Sequence, residues 1–320
     1  MRKFTFVGSA FIAPLASALL MLGASLYLLL AITIPGKGLF WAATQNAGHV
    51  VIFALGGFML CAIANKLWVA VSNRHLFFGV FFLCMSYAGL IELIQSKIGR
   101  EASWEDIYLD AAGTSIACLC YGAYYRFSKQ RYGLLSLVIL IAAISFSKPL
   151  YYGYASYVYR QEFPILFDGE KNILNDFVGI QTPASLSIEA APEQWVNNRS
   201  QVAAVTFASG DWPAFELTEP FSKWNGYQYL TVDIYNPHVK EISLHLRVHD
   251  KQHNHSYNDR FNKVYSLPHG PSTLKILLDY IKNQPKTRKL DMHNIDNIMF
   301  FMSNPSAEYI VYFDNIQLTQ

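Results

Sequence analysis

No carboxylate occurs in this chain before Glu92. The 91 residues ahead of it are packed with Leu, Phe, Ala and Ile and cannot make a water-facing surface. They belong in lipid. The whole-chain figures, net charge +2 and 15% charged residues, conceal this because they average two unlike halves. Residues 1–159 hold 11 of the 25 Lys/Arg and 5 of the 23 Asp/Glu, which leaves 14 and 18 for residues 160–320. The break implies a transmembrane helical domain over 1–155 and a separate domain over 160–320, each long enough for its own core.

Five apolar runs are expected to be membrane helices: Ser9–Ile34, His49–Ala64, Leu76–Ile94, Ile107–Tyr125 and Leu134–Leu150. About 20 residues at 1.5 Å rise cross the hydrocarbon core, so the shorter runs need snorkelling flanks or a thinned bilayer. Tyr151, Tyr152, Tyr154, Tyr157 and Tyr159 follow the last run and read as an interfacial belt. The first run, preceded by Arg2 and Lys3, is too long for a signal-peptide core and lacks an Ala-x-Ala site, so it reads as a retained helix. Arg2, Lys3, Lys66, Arg74, Arg126, Lys129 and Arg131 would share one side, against Lys37, Lys97 and Arg100 with Lys148 at its edge. The excess marks the cytoplasm. Five crossings then place the C-terminal domain outside an inner or plasma membrane. All four cysteines, Cys61, Cys84, Cys118 and Cys120, lie in the expected helices and read as small core hydrophobes.

Polar residues in this half are few and converge on one depth. His49 opens the second run. Glu92 and Gln95 sit at i,i+3 in LIELIQ, and the next segment, GREASWEDIYLDAAGT, supplies Arg100 and then Asp106, Asp110 and Gly113 at i,i+4,i+7. Ser103 to Asp106 fits a capping box, and Gly113 fits close helix packing. Carboxylates inside a membrane helix cost several kcal/mol unless paired, so Glu92 and Asp110 point to function or to a structural pair with Arg100. A His opening one helix, then Glu-x-x-Gln, a loop Arg and an Asp-x-x-x-Asp-x-x-Gly helix resembles the VanZ-like membrane protein family over about residues 10–125. On that resemblance the polar positions of the family map onto His49, Glu92, Gln95, Arg100, Asp106, Asp110 and Gly113. The resemblance implies work near cell-envelope precursors, as in glycopeptide resistance, and leaves the activity open. Many members carry an Asp-Lys pair shortly before the His, whereas this chain has Gln45-Asn46-Ala47-Gly48.

Residues 160–320 show short apolar or alternating runs: AAVTF, YLTVDIY, ISLHLRV, TLKILL, NIMFFM and YIVYF. Ser209-Gly210-Asp211, Asn236-Pro237, Pro268-His269-Gly270 and Asn304-Pro305 separate them, which predicts an all-β antiparallel sandwich. The pattern from KWNGYQYLTVDIYNP to YFDNIQL resembles a carbohydrate-binding-module jelly roll, broadly galactose-binding-like, over about residues 165–318. Trp195, Trp212 and Trp224 are candidates for a sugar-stacking platform, Trp212 and Trp224 above all, with core packing as the alternative. His249, His253 and His255 fit no strong zinc spacing and read as a solvated hairpin loop, so no metal site is expected. Asp314-Asn315, ahead of the final strand, fits either turn chemistry or, by the resemblance, calcium ligation.

The chain has no Walker loop, dinucleotide fingerprint, Gly-x-Ser-x-Gly or His-Glu-x-x-His, and its motifs leave any cofactor open. An external half with 14 basic and 18 acidic residues is a poor nucleic-acid partner. Two function classes stay open. One is a non-catalytic envelope protein that binds membrane lipid or a lipid-linked glycan at its outer face and an extracellular glycan or partner on the sandwich. The other is an enzyme that uses the His/Glu/Asp/Arg cluster on a phosphoryl or glycosyl group. A transporter with proton-relaying carboxylates is a third reading, disfavoured by the lack of a repeat.

Overall fold

The computed structural model describes residues 8–30, 38–67, 72–98, 103–196, 198–221 and 223–320, with side chains from residue 16 onward. Arg2, Lys3, Lys37, Arg100 and residues 31–34 of the first expected run lie outside the described residues. The chain divides between Tyr154 and Ala155 into two compact units.

The first unit is helical: α1 (Gly8–Leu30), α2 (Leu39–Leu67), α3 (Asn73–Lys97), α4 (Trp104–Tyr125), α5 (Arg131–Ser145) and the start of α6 (Ser147–Glu162). Among the described residues, α2 and α3 are each long and apolar enough to cross a membrane. Helix α4 and Ser128–Ser145 meet that test only together, bent by 115°. Two expected boundaries differ. Helix α2 begins ten residues before His49, because Thr44 is absorbed into it by returning its hydroxyl to the Phe40 carbonyl at 2.7 Å. His49 is therefore an interior residue of α2. The fifth expected helix, Leu134–Leu150, is broken at Phe146: Pro149 cannot sit in a helix interior but fits the first turn of α6.

Small residues hold this unit together. A Cβ on Gly57 would stand 2.9 Å from the Ala117 Cβ, and one on Gly113 would strike the Val50 carbonyl, so α2 and α4 approach backbone to backbone. The polarity is the reverse of a water-soluble bundle. Leu55, Phe78, Phe82 and Leu93 are exposed, while His49, Glu92, Gln95 and Asp110 are buried.

The second unit is an antiparallel β-sandwich with eleven strands among the described residues: β1 (Ile165–Phe167), β2 (Val178–Gln181), β3 (Ala184–Ala190), β4 (Gln201–Phe207), β5 (Ala214–Leu217), β6 (Tyr229–Asn236), β7 (Ile242–Asp250), β8 (Phe261–Leu267), β9 (Gly270–Leu277), β10 (Ile295–Phe301) and β11 (Tyr309–Thr319). One sheet runs β3-β4-β11-β6-β9 with β1 added to β11, and the other runs β2-β5-β10-β7-β8. A short helix, α7 (Leu278–Asn283), follows β9. Phe215 and Phe300 of the second sheet meet Phe313 of the first at ring-centroid distances of 5.0 and 5.1 Å. Each such ring contributes roughly 1.5–3 kcal/mol by burial.

Four of the six expected runs lie within β4, β6, β7 and β11, and the other two, TLKILL and NIMFFM, overrun β9 and β10 by one residue each. Two other expectations do not hold. Tyr159 is no interfacial residue: it is buried, stacks on Phe177 at 5.1 Å and donates its hydroxyl to the Leu166 carbonyl at 3.1 Å. Asp314-Asn315 does not precede the final strand but lies inside β11. There the pairing with β6 shifts register between Asp314 and Gln317, and Asn315 takes a positive φ of 47°, a β-bulge.

Candidate functional site

In the helical unit, α2 and α4 bring two of the expected polar residues into contact. The His49 Nδ1 lies 2.9 Å from the Asp110 Oδ1, with both side chains buried. Its other nitrogen, Nε2, lies 3.9 Å from the Asp106 Oδ2. A carboxylate on one ring nitrogen fixes the ring and aims the other, the arrangement a general base requires. The expected capping box does not form. The Ser103 hydroxyl accepts from the Glu105 N–H at 3.1 Å, and the Ser103 N–H donates to Glu92 at 2.7 Å. Glu92, reaching from α3, therefore takes the place expected for Asp106 at the start of α4, and Asp106 turns towards His49 instead. The other Glu92 oxygen, Oε1, is buried without a hydrogen-bond partner among the described residues. Gln95 gives its amide to the Leu29 carbonyl at 3.4 Å. Gly113 serves the α2–α4 contact described above.

In the sandwich, alternation along ISLHLRVHD turns Ile242, Leu244, Leu246 and Val248 into the core and Ser243, His245, Arg247 and His249 outward. Register sets Arg247 beside Met299 of β10 and Asn262 of β8, and His245 beside Phe301 and Val264. This outer face forms a cleft of about 650 Å³ whose lining includes Gln181, Trp212, His245, Arg247, Tyr257 and Arg260. Trp212 is half-exposed and packs on Phe301 at 5.7 Å. It holds φ 54°, a left-handed conformation that a bulky residue keeps only when its surroundings enforce it. His245 stacks on the same Phe301 ring at 4.7 Å. Burial pushes His249 down to about 3, and Arg247, His253 and Arg260 add to it, so its ring is neutral at physiological pH.

The other tryptophans are elsewhere. Trp224 is 1% exposed and gives its indole N–H to the Phe221 carbonyl at 2.8 Å, which puts it in the core and removes it from any ligand platform. Trp195 is buried and stacked on Tyr235 at 5.7 Å.

The loop joining the paired strands β7 and β8 is largely exposed, as expected of a hairpin, but His253 and Asp259 anchor it from within. The His253 side chain is 3% exposed, and its Nδ1 lies 3.2 Å from Asp259. Asp259 and Asp250 are both buried, and Arg288 clamps them, with 2.6 Å contacts to both Asp250 oxygens and to Asp259. Those bonds hold Asp259 well below the usual carboxylate range, and they outweigh burial to lower Asp250 as well. At the β11 bulge, Asp314 accepts from Asn198 at 2.6 Å and Ser200 at 2.7 Å, while Asp233 accepts from Thr273 at 2.6 Å and Asn315 at 3.1 Å. Every oxygen of these two carboxylates already meets an N–H or O–H, Asp314 Oδ1 through the Asn315 amide at 2.8 Å. These bonds give the bulge the turn chemistry that is one of its two expected readings. Among the described residues, no group of three or more His, Cys, Asp or Glu is placed to hold a metal.

Sequence reasoning passed over Arg247, Arg260 and His245. The signal was present in the polar phase of HLRVH, whose residues must share one face once the strand is recognised.

No protein-family model and no curated protein matches the chain. Solved structures similar to it include the family 11 carbohydrate-binding module from Clostridium thermocellum in complex with a β-1,3-1,4-mixed-linked tetrasaccharide (19% identity, TM-score 0.37, 48% of this chain and 94% of that one). A second is an exo-β-agarase (15% identity, TM-score 0.38, 48% of this chain and 25% of that one). A third is a carbohydrate-binding module specific for non-crystalline cellulose (16% identity, TM-score 0.35, 49% of this chain and 93% of that one).

Proposed function

We propose that this chain is an integral membrane protein of the cell envelope whose sandwich holds a glycan in the cleft beside Trp212. The observation that carries the glycan reading is Trp212 itself, a half-exposed ring kept in a left-handed conformation at a cleft that also offers Gln181, Asn262 and Arg247. Flat aromatic faces take the apolar face of a pyranose, and amides and guanidinium groups take its hydroxyls. The membrane reading is supported by the inverted polarity of the helical unit and by the apolar α2 and α3. The excess of Lys/Arg in alternate loops supports a cytoplasmic N-terminus and an extracytoplasmic sandwich. On the VanZ-like resemblance, Arg100 and His49 of the polar cluster meet the polar head of an anionic lipid or a lipid-linked glycan.

One observation favours a second reading. The 2.9 Å His49–Asp110 contact is the geometry of an oriented general base, so the cluster would act on a phosphoryl or glycosyl group of an envelope precursor. Product formed from such a precursor, and lost in Asp110→Asn, would establish this enzyme reading over simple binding.

The glycan reading is tested by titrating the full chain in detergent with soluble oligosaccharides while following tryptophan fluorescence. Saturable binding that Trp212→Ala weakens about tenfold or more is expected. Binding indifferent to Trp212→Ala would remove the cleft from the reading.

A further inference from the structure

The same cleft carries an electrostatic feature that a neutral sugar does not require. Arg247 projects from the outward row of β7, and Arg260 stands immediately before β8, whose Asn262 pairs with Arg247. Both guanidinium groups line the cleft. Burial lowers both below the ordinary arginine value, Arg247 to about 10, with Arg260 adding to that shift and Glu216 opposing it. The Nε of each is buried without a hydrogen-bond partner among the described residues. Among the described residues, no carboxylate is hydrogen-bonded to either one, and Glu216, the carboxylate on this face, gives its Oε2 to the Asn297 amide at 2.9 Å. Arg288 in the same unit shows the alternative, an arginine bonded to two carboxylates. Partly desolvated cations without a counter-charge oppose folding, and a site that keeps two of them is matched to an anion arriving from outside. Guanidinium forks suit planar carboxylate and sulfate oxygens. Tyr257, against Arg260 at 5.6 Å, and Trp212 supply rings on the same lining.

We propose that the cleft takes an anionic sugar, its carboxylate or sulfate group seated between Arg247 and Arg260 while the pyranose ring lies against Trp212. This inference rests on the glycan reading above and narrows it to acidic saccharides. Uronates and sulfate esters present the same chemistry to the two arginines, and the choice of probe separates them.

The test uses the full chain in detergent, titrated with oligogalacturonate, a sulfated galactan oligosaccharide, a neutral mixed-linked glucan oligosaccharide and inorganic sulfate. At least one charged oligosaccharide is expected to bind at least about tenfold more tightly than the neutral one. Arg247→Gln and Arg260→Gln should each weaken it by about tenfold or more. Arg247→Lys, which keeps the charge and loses the fork, should weaken it less, and it serves if Arg247→Gln fails to fold. Lys240→Gln, an exposed cation outside the cleft, should change nothing. Neutral glucan bound as tightly as the charged probes, with no effect of either arginine substitution, would overturn the acidic-sugar inference and leave the glycan reading standing. No saccharide bound by the folded protein would overturn both. Inorganic sulfate bound as tightly as the oligosaccharides, or equal weakening by Lys240→Gln, would show simple attraction to charge and sink the built site.

Discussion

The two units bury charge in opposite ways. In the sandwich, Asp250 and Asp259 are shut in with an arginine that contacts both at 2.6 Å, and Asp314 accepts from Asn198 and Ser200. Those acids are matched from within the fold. In the helical unit, His49 and Asp110 are matched to each other, but Glu92 reaches Ser103 with one oxygen while the other is buried without a partner among the described residues. The cleft of the sandwich resembles the helical unit in this respect, since Arg247 and Arg260 also keep buried nitrogens unpartnered. A buried charge satisfied inside the fold reads as structure. A buried charge left over reads as a place where something else is meant to arrive.

The comparison breaks first if the matched acids prove dispensable. Arg288→Ala leaves Asp250 and Asp259 buried without their cation and should cost the sandwich about 3–5 kcal/mol, read by denaturant unfolding of the β signal. Both carboxylates are held below their ordinary values, so the stability they contribute is present above the ordinary carboxylate range. It should drain away as pH falls below about 4, and Arg288→Ala should flatten that dependence. A wild-type melting curve for Arg288→Ala would show that the matched cluster is not what holds this edge closed.

Gly113→Val tests the other side of the comparison at lower cost. Its side chain would strike the Val50 carbonyl and the Phe53 Cβ, so α2 and α4 must part, at roughly 1–3 kcal/mol, read as loss of thermal stability in detergent. An unchanged melting temperature would mean that α2 and α4 do not rely on this close approach.

Asp110→Asn sharpens the comparison with the smallest expected effect on stability, about 1 kcal/mol, because the amide keeps a hydrogen bond to His49 and loses only charge. Function should fall far more than expression, and Glu92→Gln should behave alike if its free oxygen serves a ligand. Expression and melting temperature falling as steeply as function would make the cluster a structural network.

Much of this was legible in the sequence, and the gaps have physical causes. The carboxylate-free stretch and the alternating runs identify a helical half and a β half without any contact information. The ends of helices were less legible. The seven polar or small residues from Ala42 to Gly48 separate Leu39, Phe40 and Trp41 from the apolar run after His49, yet all ten residues extend α2 because a helix tolerates them once packed. Strands β2 and β5 are four residues each, and β3 and β8 are edge strands that interleave serine, lysine or glutamate, so neither pair shows an apolar run. In the candidate site, the common depth of His49 and Asp110 was legible, but their direct pairing was not, since the partner expected for Asp110 was Arg100. Glu92 capping α4 was not legible either, because the competing cap is long-range. Trp212 and Trp224 look alike in sequence, and only packing sends one to the surface and the other to the core.

Hydrogen–deuterium exchange of the full chain in detergent, with and without the tightest-binding oligosaccharide, tests most directly the claim that the outer face of the second sheet is where ligand arrives. The account predicts protection at residues 245–249, 257–264 and 299–301 and around Trp212. Protection absent from these segments, or confined to residues 198–200 and 314–315 at the β11 bulge, would contradict it.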